Sequence, residues 1–356
     1  MSAEQKSYPS QLEKVKAITD QLEAGIQSLF ESEKFKQYLK TLSKFHNYSL
    51  NNTLLIAMQK PDATLVAGYT TWKRQFGRQV RKGANGIRIL APAPYKKKIE
   101  IDKTDTATGT IVKNPDGTNA KETQEVLMPA FKVVNVFDVS QTDGKPLPTI
   151  GVNELTGDVA QYDLFFEALT RACPVPIEFE QIENGARGYF HVVENRIAIQ
   201  EGMSQVQTVK TAIHEMAHQR LHSIGSSAKA NPSETRLTRN HKEVEAESAA
   251  FTVCQHYGID TGDYSFAYVA GWSHGKELPE LRASLDKIRT TASEMITEID
   301  SHLANLHRDY VWAHLTAADV KHIECIGSEY MPLSRMAEHT FSCEIAGEAM
   351  TLKLHL

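Results

Sequence analysis

The sequence has little cysteine and spreads it thinly: Cys173, Cys254, Cys325 and Cys343, with no CxxC pair among them. That spacing excludes a cysteine-based metal site and offers no disulfide framework, which points to reduced thiols in a cytoplasmic setting. Long apolar runs are also missing. No stretch approaches the roughly 18 apolar residues that a membrane-crossing helix needs, and the opening segment MSAEQKSYPSQLEKVK has no apolar core of the kind a secretory signal carries. A membrane partner is therefore not expected. Internal repeats and low-complexity tracts are absent too, and 41% hydrophobic with 23% charged residues excludes wholesale disorder.

What is present is unevenly placed. The net charge over 356 residues is only −5, but residues 1–150 hold 22 Lys/Arg against 15 Asp/Glu, while 151–356 hold 17 against 29. Within the first part, residues 40–100 carry 12 basic residues and only Asp62 and Glu100 as acids. A basic half joined to an acidic half implies that one part meets a polyanion and the other does something else.

The hydrophobic spacing gives an α+β chain. Leu12, Val15, Ile18, Leu22, Ile26 and Leu29 fall at helical intervals within 11–45, and a helix capped near Ser49 runs to Lys60, where Pro61 stops it. Short strand-like runs alternate with glycine turns over 79–101, 102–123 reads as an exposed hairpin tip with Asp116-Gly117, and Phe131–Phe137 reads as a strand. Residues 141–151 have linker composition. The expected domains are therefore 1–145, α+β; 150–306, mainly helical with a small antiparallel sheet; and a small C-terminal extension, 307–356. In the second domain, helices are expected near 158–172, 204–222, 239–257, 266–275 and 278–306, and Gly188–Val193 with Arg196–Gln200 reads as a hairpin turned at Glu194-Asn195.

The sharpest chemical signal is His214-Glu215-Met216-Ala217-His218 inside the apolar segment VKTAIHEMAHQRL. On a helix, positions i and i+4 share a face, so both imidazoles reach one ion, and Glu215 lies beside it to take a proton from water. A catalytic zinc (Zn2+) takes three protein ligands and keeps one position open. The metzincin pattern fails because residues 221 and 224 are Leu221 and Ile224. A following helix offers Glu243, Glu245 and Glu247. Glu243 and Glu247 lie one turn apart on one face, so Glu243 is read as the third ligand and Glu247 as an acceptor for a ligand histidine's N–H, with the two roles exchangeable. Glu245 is expected to point away into solvent. His222 and His241 read more readily as a core and a surface histidine than as ligands.

The stretch GYFHVVENRIAIQEGMSQVQTVKTAIHEMAHQRLH, followed by EVEAESAAFTVCQHYGID, resembles the zincin domain of ArdC-type antirestriction proteins of conjugative elements. It is more distantly similar to the ImmA/IrrE metallopeptidases. In such zincins the third ligand is a Glu in an E-x-x-A-[DE] setting, which Glu243-Val-Glu-Ala-Glu247 matches. The resemblance implies peptide hydrolysis; for that chemistry Tyr264, Tyr268 and His241 are the candidate donors to the oxyanion, and the edge near Gly188–Val193 is read as the place for an extended peptide.

Residues 45–98 interleave rings with cations. Tyr48, Tyr69 and Trp72, with Asn52, stand among Lys73, Arg74, Arg78, Arg81, Lys82, Arg88, Lys96, Lys97 and Lys98. Cations track phosphates and aromatic faces stack on bases, so this is the composition of a single-strand binder. Trp72 and Phe76, at i and i+4, would equally suit a packed helix face. The run YSLNNTLLIAMQKPDATLVAGYTTWKRQFGRQVRKGANGIRILAP, closed by VFDVSQTDG, resembles the N-terminal single-stranded-DNA-binding domain of the same proteins. The resemblance spans about 270 residues and leaves 102–123 and 310–356 outside it. Together the two stretches imply an ssDNA-binding zinc metallopeptidase of a mobile element, acting on DNA-associated proteins or protecting incoming DNA. A non-catalytic ssDNA coat with structural zinc, or an ImmA/IrrE-like protease that cleaves a repressor, fits the same residues.

Overall fold

The structure, a computed structural model, describes residues 10–104, 109–147, 159–222, 239–259, 261, 264, 266, 269–314, 320–331, 336–345 and 348–355. Three helices open the chain. α1 (Gln11–Leu29) starts in a capping box, in which Glu13 N–H donates to Ser10 Oγ and Ser10 N–H to Glu13 Oε2. It buries Ile18, Leu22, Ile26 and Leu29, whereas Leu12, in the first turn, is 84% exposed. α2 (Ser32–Lys44) buries Phe35, Tyr38, Leu39 and Leu42, and α3 (Leu50–Gln59) is capped by Ser49 and ends before Pro61.

Next come β1 (Val66–Gly68), α4 (Tyr69–Arg74), β2 (Arg78–Val80), β3 (Ile87–Pro92), β4 (Tyr95–Asp102), β5 (Lys121–Met128), β6 (Phe131–Asp138) and β7 (Thr142–Gly144). β1, β6 and β3 form one antiparallel sheet in that order, and β2 pairs with β7. Thr142–Gly144 is thus part of the fold, although its composition reads as linker. The pairing of β4 with β5 continues that of β3 with β6 in one register: Pro92 lies opposite Phe131, Tyr95 opposite Met128, and Ala93 N–H donates to Ala130 O between them. Prolines at 92, 94 and 129 remove ladder donors there, so one ribbon is divided into a sheet pair and a projecting hairpin. The free edge of β3 is closed by α3, because the Asn52 amide exchanges two hydrogen bonds with Leu90 and the Gln59 amide two with Arg88. Asn52 and Gln59 are seven residues apart, two helical turns, and so reach the same strand.

Asp138 fixes the turn that follows. It is 1% exposed and accepts from the N–H groups of Thr64 (2.7 Å), Leu65 (3.1 Å) and Ser140 (2.9 Å). Burial opposes its charge, but those hydrogen bonds outweigh it and hold the carboxyl below the usual Asp range. A depressed carboxylate stabilises the fold above the unfolded-state pKa and loses that contribution as pH falls through the folded value. Asp138→Asn is therefore expected to cost about 1–3 kcal/mol near pH 7, with the deficit closing below about pH 4, as read by urea unfolding at both pH values.

The remaining elements are α5 (Val159–Ala172), β8 (Ile177–Glu180), β9 (Gly188–His191), β10 (Arg196–Gln200), α6 (Gln205–His222), α7 (Arg239–His256), α8 (Val269–Ser273), α9 (Leu278–His314) and an antiparallel sheet of β11 (Val320–Met331), β12 (Met336–Ile345) and β13 (Glu348–His355). β10 is central in its sheet, antiparallel to β9 and parallel to β8. Asn195 turns that hairpin at φ 52°, a left-handed angle that asparagine tolerates. The described chain divides into two compact units: the first lies within Met1–Thr156 and Val175–Ile296, the second within Gly157–Pro174 and Thr297–Leu356. The first takes in α1–α3 and the helices α6 and α7 alike. One apolar core joins Ile18, Leu22, Phe35 and Leu54 of the opening helices to Ile87 and Val136 of the sheet, to Val244 and Phe251 of α7, and to Trp272 and Leu285 beyond. No helix among the described residues is long and apolar enough to cross a membrane.

Candidate metal centre

α6 buries Val209, Ala212, Ile213, Met216 and Ala217, which leaves His214 and His218 on the side that faces α7. Their Nε2 atoms are 3.1 Å apart, and Glu243 Oε2 of α7 lies 3.3 Å from His218 Nε2 and 3.6 Å from His214 Nε2. Among the described residues these three form the cluster able to hold a metal ion. The donor set fits one. Two imidazole nitrogens and a carboxylate oxygen suit a first-row divalent ion, and the edges of a tetrahedron with 2.0–2.1 Å bonds measure about 3.3 Å, inside the observed spread.

The charges around the cluster are mutually dependent. Hydrogen bonding from His214 and His218 holds the Glu243 carboxyl far below the usual range. Burial alone would depress His214, but Glu243, Glu215 and Glu247 together raise it. Glu215 is 8% exposed, and burial pushes its carboxyl up against the opposing pull of His214 and His218. His222 stands outside the cluster. Burial lowers it to about 4, and its Nε2 meets the Lys242 carbonyl at 3.2 Å.

A cavity of about 450 Å³ opens beside the cluster, walled by Lys210, Thr211, His214, Glu215, Glu247 and Tyr264. The edge strand β9 forms its rim and packs against α6 without room to spare. A Cβ on Gly188 would come within 2.6 Å of Thr211 Cγ2, 2.9 Å of Ala198 O and 3.4 Å of Glu215 Cγ. Gly188→Val is expected to cost about 1–3 kcal/mol by forcing the edge strand off α6, measured as a fall in thermal midpoint, while Gly202→Ala, an open site at φ 79°, serves as a backbone control.

Several residues stand elsewhere than the sequence suggests. Glu245 is buried, 1% exposed, and not in solvent: it accepts from Ser284 Oγ (2.8 Å) and lies 3.0 Å from His241 Nε2, because α9 covers that side of α7. His241 is committed to the same group, with Ser284 Oγ at 3.2 Å and Lys276 Nζ at 2.9 Å, and it does not line the cavity. Tyr264 does line it, and Tyr268 lies outside the described residues. Glu247 is at the cavity wall, one turn of α7 beyond Glu243.

In the basic segment, Trp72 cannot stack on a base: it is fully buried against Phe76, ring centroids 4.9 Å apart, with Nε1 donating to the Phe137 carbonyl. Asn52 is consumed by the edge of β3. Tyr48 is half-buried against Phe45, its hydroxyl 3.4 Å from Val66 O. Arg78 is tied to Thr142, Gly144 and Lys145, and Arg81 to the Ser140 carbonyl. Tyr69, Lys73, Arg74, Lys82, Arg88, Lys97 and Lys98 are exposed, and Lys96 is exposed while paired to Glu125. Sequence reasoning passed over Lys210, although a lysine one turn before His214 on the same face was visible as such.

Residues 11–137 match the family model of the N-terminal domain of the anti-restriction factor ArdC. An uncharacterized protein of Bacillus anthracis is 28% identical, over 83% of this chain and 53% of its own length, so the chain spans about half of that curated relative. Two crystal structures of the antirestriction protein ArdC from plasmid R388 are similar. The metal-free form is 22% identical with a TM-score of 0.45, covering 82% of this chain and 97% of that one. The Mn(II)-bound form is 17% identical with a TM-score of 0.39, covering 76% and 98%.

Proposed function

We propose, from the premise that residues 11–137 are an ArdC-type N-terminal domain, that the chain is an antirestriction protein of a mobile element that binds single-stranded DNA and hydrolyses peptide bonds of proteins met there. The observation that carries the hydrolytic half is the convergence of His214, His218 and Glu243 beside Glu215 on a cavity rimmed by an edge strand. His214, His218 and Glu243 would hold a divalent ion such as zinc, which would lower the pKa of water and polarise the scissile carbonyl. Glu215, whose carboxylate is kept basic by burial, takes the water's proton and passes it to the leaving amine. The free edge of β9 holds the peptide extended by backbone pairing.

Exposed Lys73, Arg74, Lys82, Arg88 and Lys98, with the Tyr69 ring, supply the phosphate and base contacts. With about five phosphates neutralised, the slope of log affinity against log salt is about −3.5, or about 100-fold weaker binding between 50 and 200 mM salt. The test is incubation of metal-loaded protein with protein-bound ssDNA and with the same protein free, in the cytoplasmic salt range, using wild type and Glu215→Gln. Cleavage by wild type alone, faster on DNA, supports the reading. DNA binding without cleavage by either form leaves a coat that protects incoming strands, and cleavage of one repressor irrespective of DNA leaves a regulatory protease.

A further inference from the structure

The outer face of the β1–β6–β3 sheet is aromatic where a solvated face is expected to be polar. In an antiparallel sheet with one side on the core, apolar residues alternate inward with polar residues outward. The inward set obeys this: Val66 of β1, Ile87 and Ile89 of β3 and Val136 of β6 are buried in the core. The outward set does not. Directly opposed residues share a face, so Ala67 lies beside Phe137, Arg88 beside Asn135 and Pro92 beside Phe131, all on the side away from that core. Phe131 is 57% exposed. At the other end of β6, the Phe137 ring meets Tyr69 of α4 edge-on, with centroids 6.4 Å apart. Tyr69 is 50% exposed, and its hydroxyl accepts from Gln79 Nε2 at 2.6 Å, which fixes the ring while leaving it open to solvent. Gly86 supplies the room these side chains occupy: a Cβ there would come within 2.8 Å of Asn135 Cβ and 3.3 Å of Phe137 Cζ.

Six residue steps of β6, about 20 Å, separate Phe131 from Phe137, so the two exposed rings mark the ends of one track with Arg88 and Asn135 between them. The charges along it are of one sign. The single carboxylate in the three strands, Asp138, is turned inward and held by the Thr64 and Leu65 N–H groups, whereas Arg88, Lys132 and, at the Tyr69 end, Lys73 are exposed. Exposed rings on an acid-free face edged by cations suit a single strand, whose unpaired bases can lie flat on them while its phosphates meet the cations. A duplex keeps its base faces stacked inside and has nothing to offer such rings. We propose that single-stranded DNA runs along the outer face of β6, with bases stacked on Phe131 at one end and on Tyr69 at the other and a phosphate on Arg88 between. This rests on the ssDNA-binding reading and adds to it a ring, Phe131, that lies outside the basic segment of the sequence.

The test uses the full-length protein and two labelled probes, an oligothymidylate and an abasic strand of the same length, with affinities from fluorescence anisotropy across a salt series. Wild type is expected to bind the oligothymidylate at least about ten-fold more tightly, because only that probe can stack. Phe131→Ala, at an exposed position that the fold does not need, should weaken oligothymidylate binding about ten-fold. It should leave the abasic strand's affinity and the salt slope unchanged, and Phe131→Tyr should keep the wild-type values. Arg88→Gln should weaken both probes and reduce the slope by about 0.7, the share of one phosphate. Equal binding of the two probes by wild type, or full oligothymidylate affinity in Phe131→Ala, overturns the track and leaves DNA binding standing. Failure of wild type to bind either probe overturns the ssDNA reading and the track with it. Sedimentation of both proteins at rising concentration covers the other occupant: a wild-type dimer that Phe131→Ala breaks would show that a second copy covers this face, and would overturn the track.

Discussion

Exchange of Glu215 for glutamine is expected to lower kcat by about 10²–10⁴, the contribution typical of a positioned general base, while the protein keeps its metal. The separation of the two effects follows from geometry. The atoms that face one another across the cluster belong to His214, His218 and Glu243, while Glu215 lies against β9 near Gly188. Glutamine is nearly isosteric with glutamate, so the fold loses little. It cannot take a proton. Peptide cleavage and metal content measured on the same preparation decide it: loss of cleavage together with loss of metal would make Glu215 a ligand and reverse the roles.

The second large effect concerns how the halves are joined. Phe35, in α2, is fully buried with ring centroids 5.4 Å from Phe266, 5.7 Å from Phe30 and 6.5 Å from Tyr38. Phe266 in turn stands edge-on to Phe251 of α7 at 5.3 Å, the helix that carries Glu243. Polar ties run alongside, with Lys36 Nζ donating to the Tyr264 carbonyl, Arg282 to Asn51 Oδ1 and His256 Nδ1 lying 2.9 Å from Ser43 O. Phe35→Ala is expected to cost about 3–5 kcal/mol and to move the melting of the metal helices together with that of the N-terminal region. Urea unfolding followed by far-UV circular dichroism and by metal release should give coincident curves. Two separate transitions, or a fragment beginning at residue 150 that folds and binds metal, would show that the shared core is dispensable.

The parts of the site that one helix determines were legible in the sequence. His214 and His218 are i and i+4, and the apolar residues around them bury the rest of α6, so the spacing alone aligns the two imidazoles. Glu243 and Glu247 were narrowed to one face by the same periodicity. What picks Glu243 is its distance to two nitrogens on another helix, which no local pattern contains. Glu245 shows the limit most clearly. Residues 244, 246, 249, 250 and 251 are all buried, so α7 is enclosed on several sides, and Ser284 of α9 covers the side on which Glu245 sits. Trp72 illustrates the converse: rings spaced among cations look alike whether they stack on bases or on Phe76, and only the hydrogen bond to Phe137 decides. β8 is only four residues long; its alternating polarity is a weak strand signal, and its parallel, non-local pairing with β10 is in no local pattern. The common core of α1–α3 and α7 was hidden for the same reason, since chain order places a polar segment near 141–151 between them.

The most direct single measurement is a calorimetric titration of zinc into metal-stripped wild type, Glu243→Ala and Glu247→Ala. Structural zinc sites bind with about 10–16 kcal/mol spread over four ligands, so one lost ligand is worth about 10²–10³ in affinity. The expected result is one ion per wild-type chain, a loss of that size in Glu243→Ala, and a change within about ten-fold in Glu247→Ala. Stoichiometric zinc bound equally well by Glu243→Ala, or lost only in Glu247→Ala, would contradict the assignment of His214, His218 and Glu243 as the metal centre.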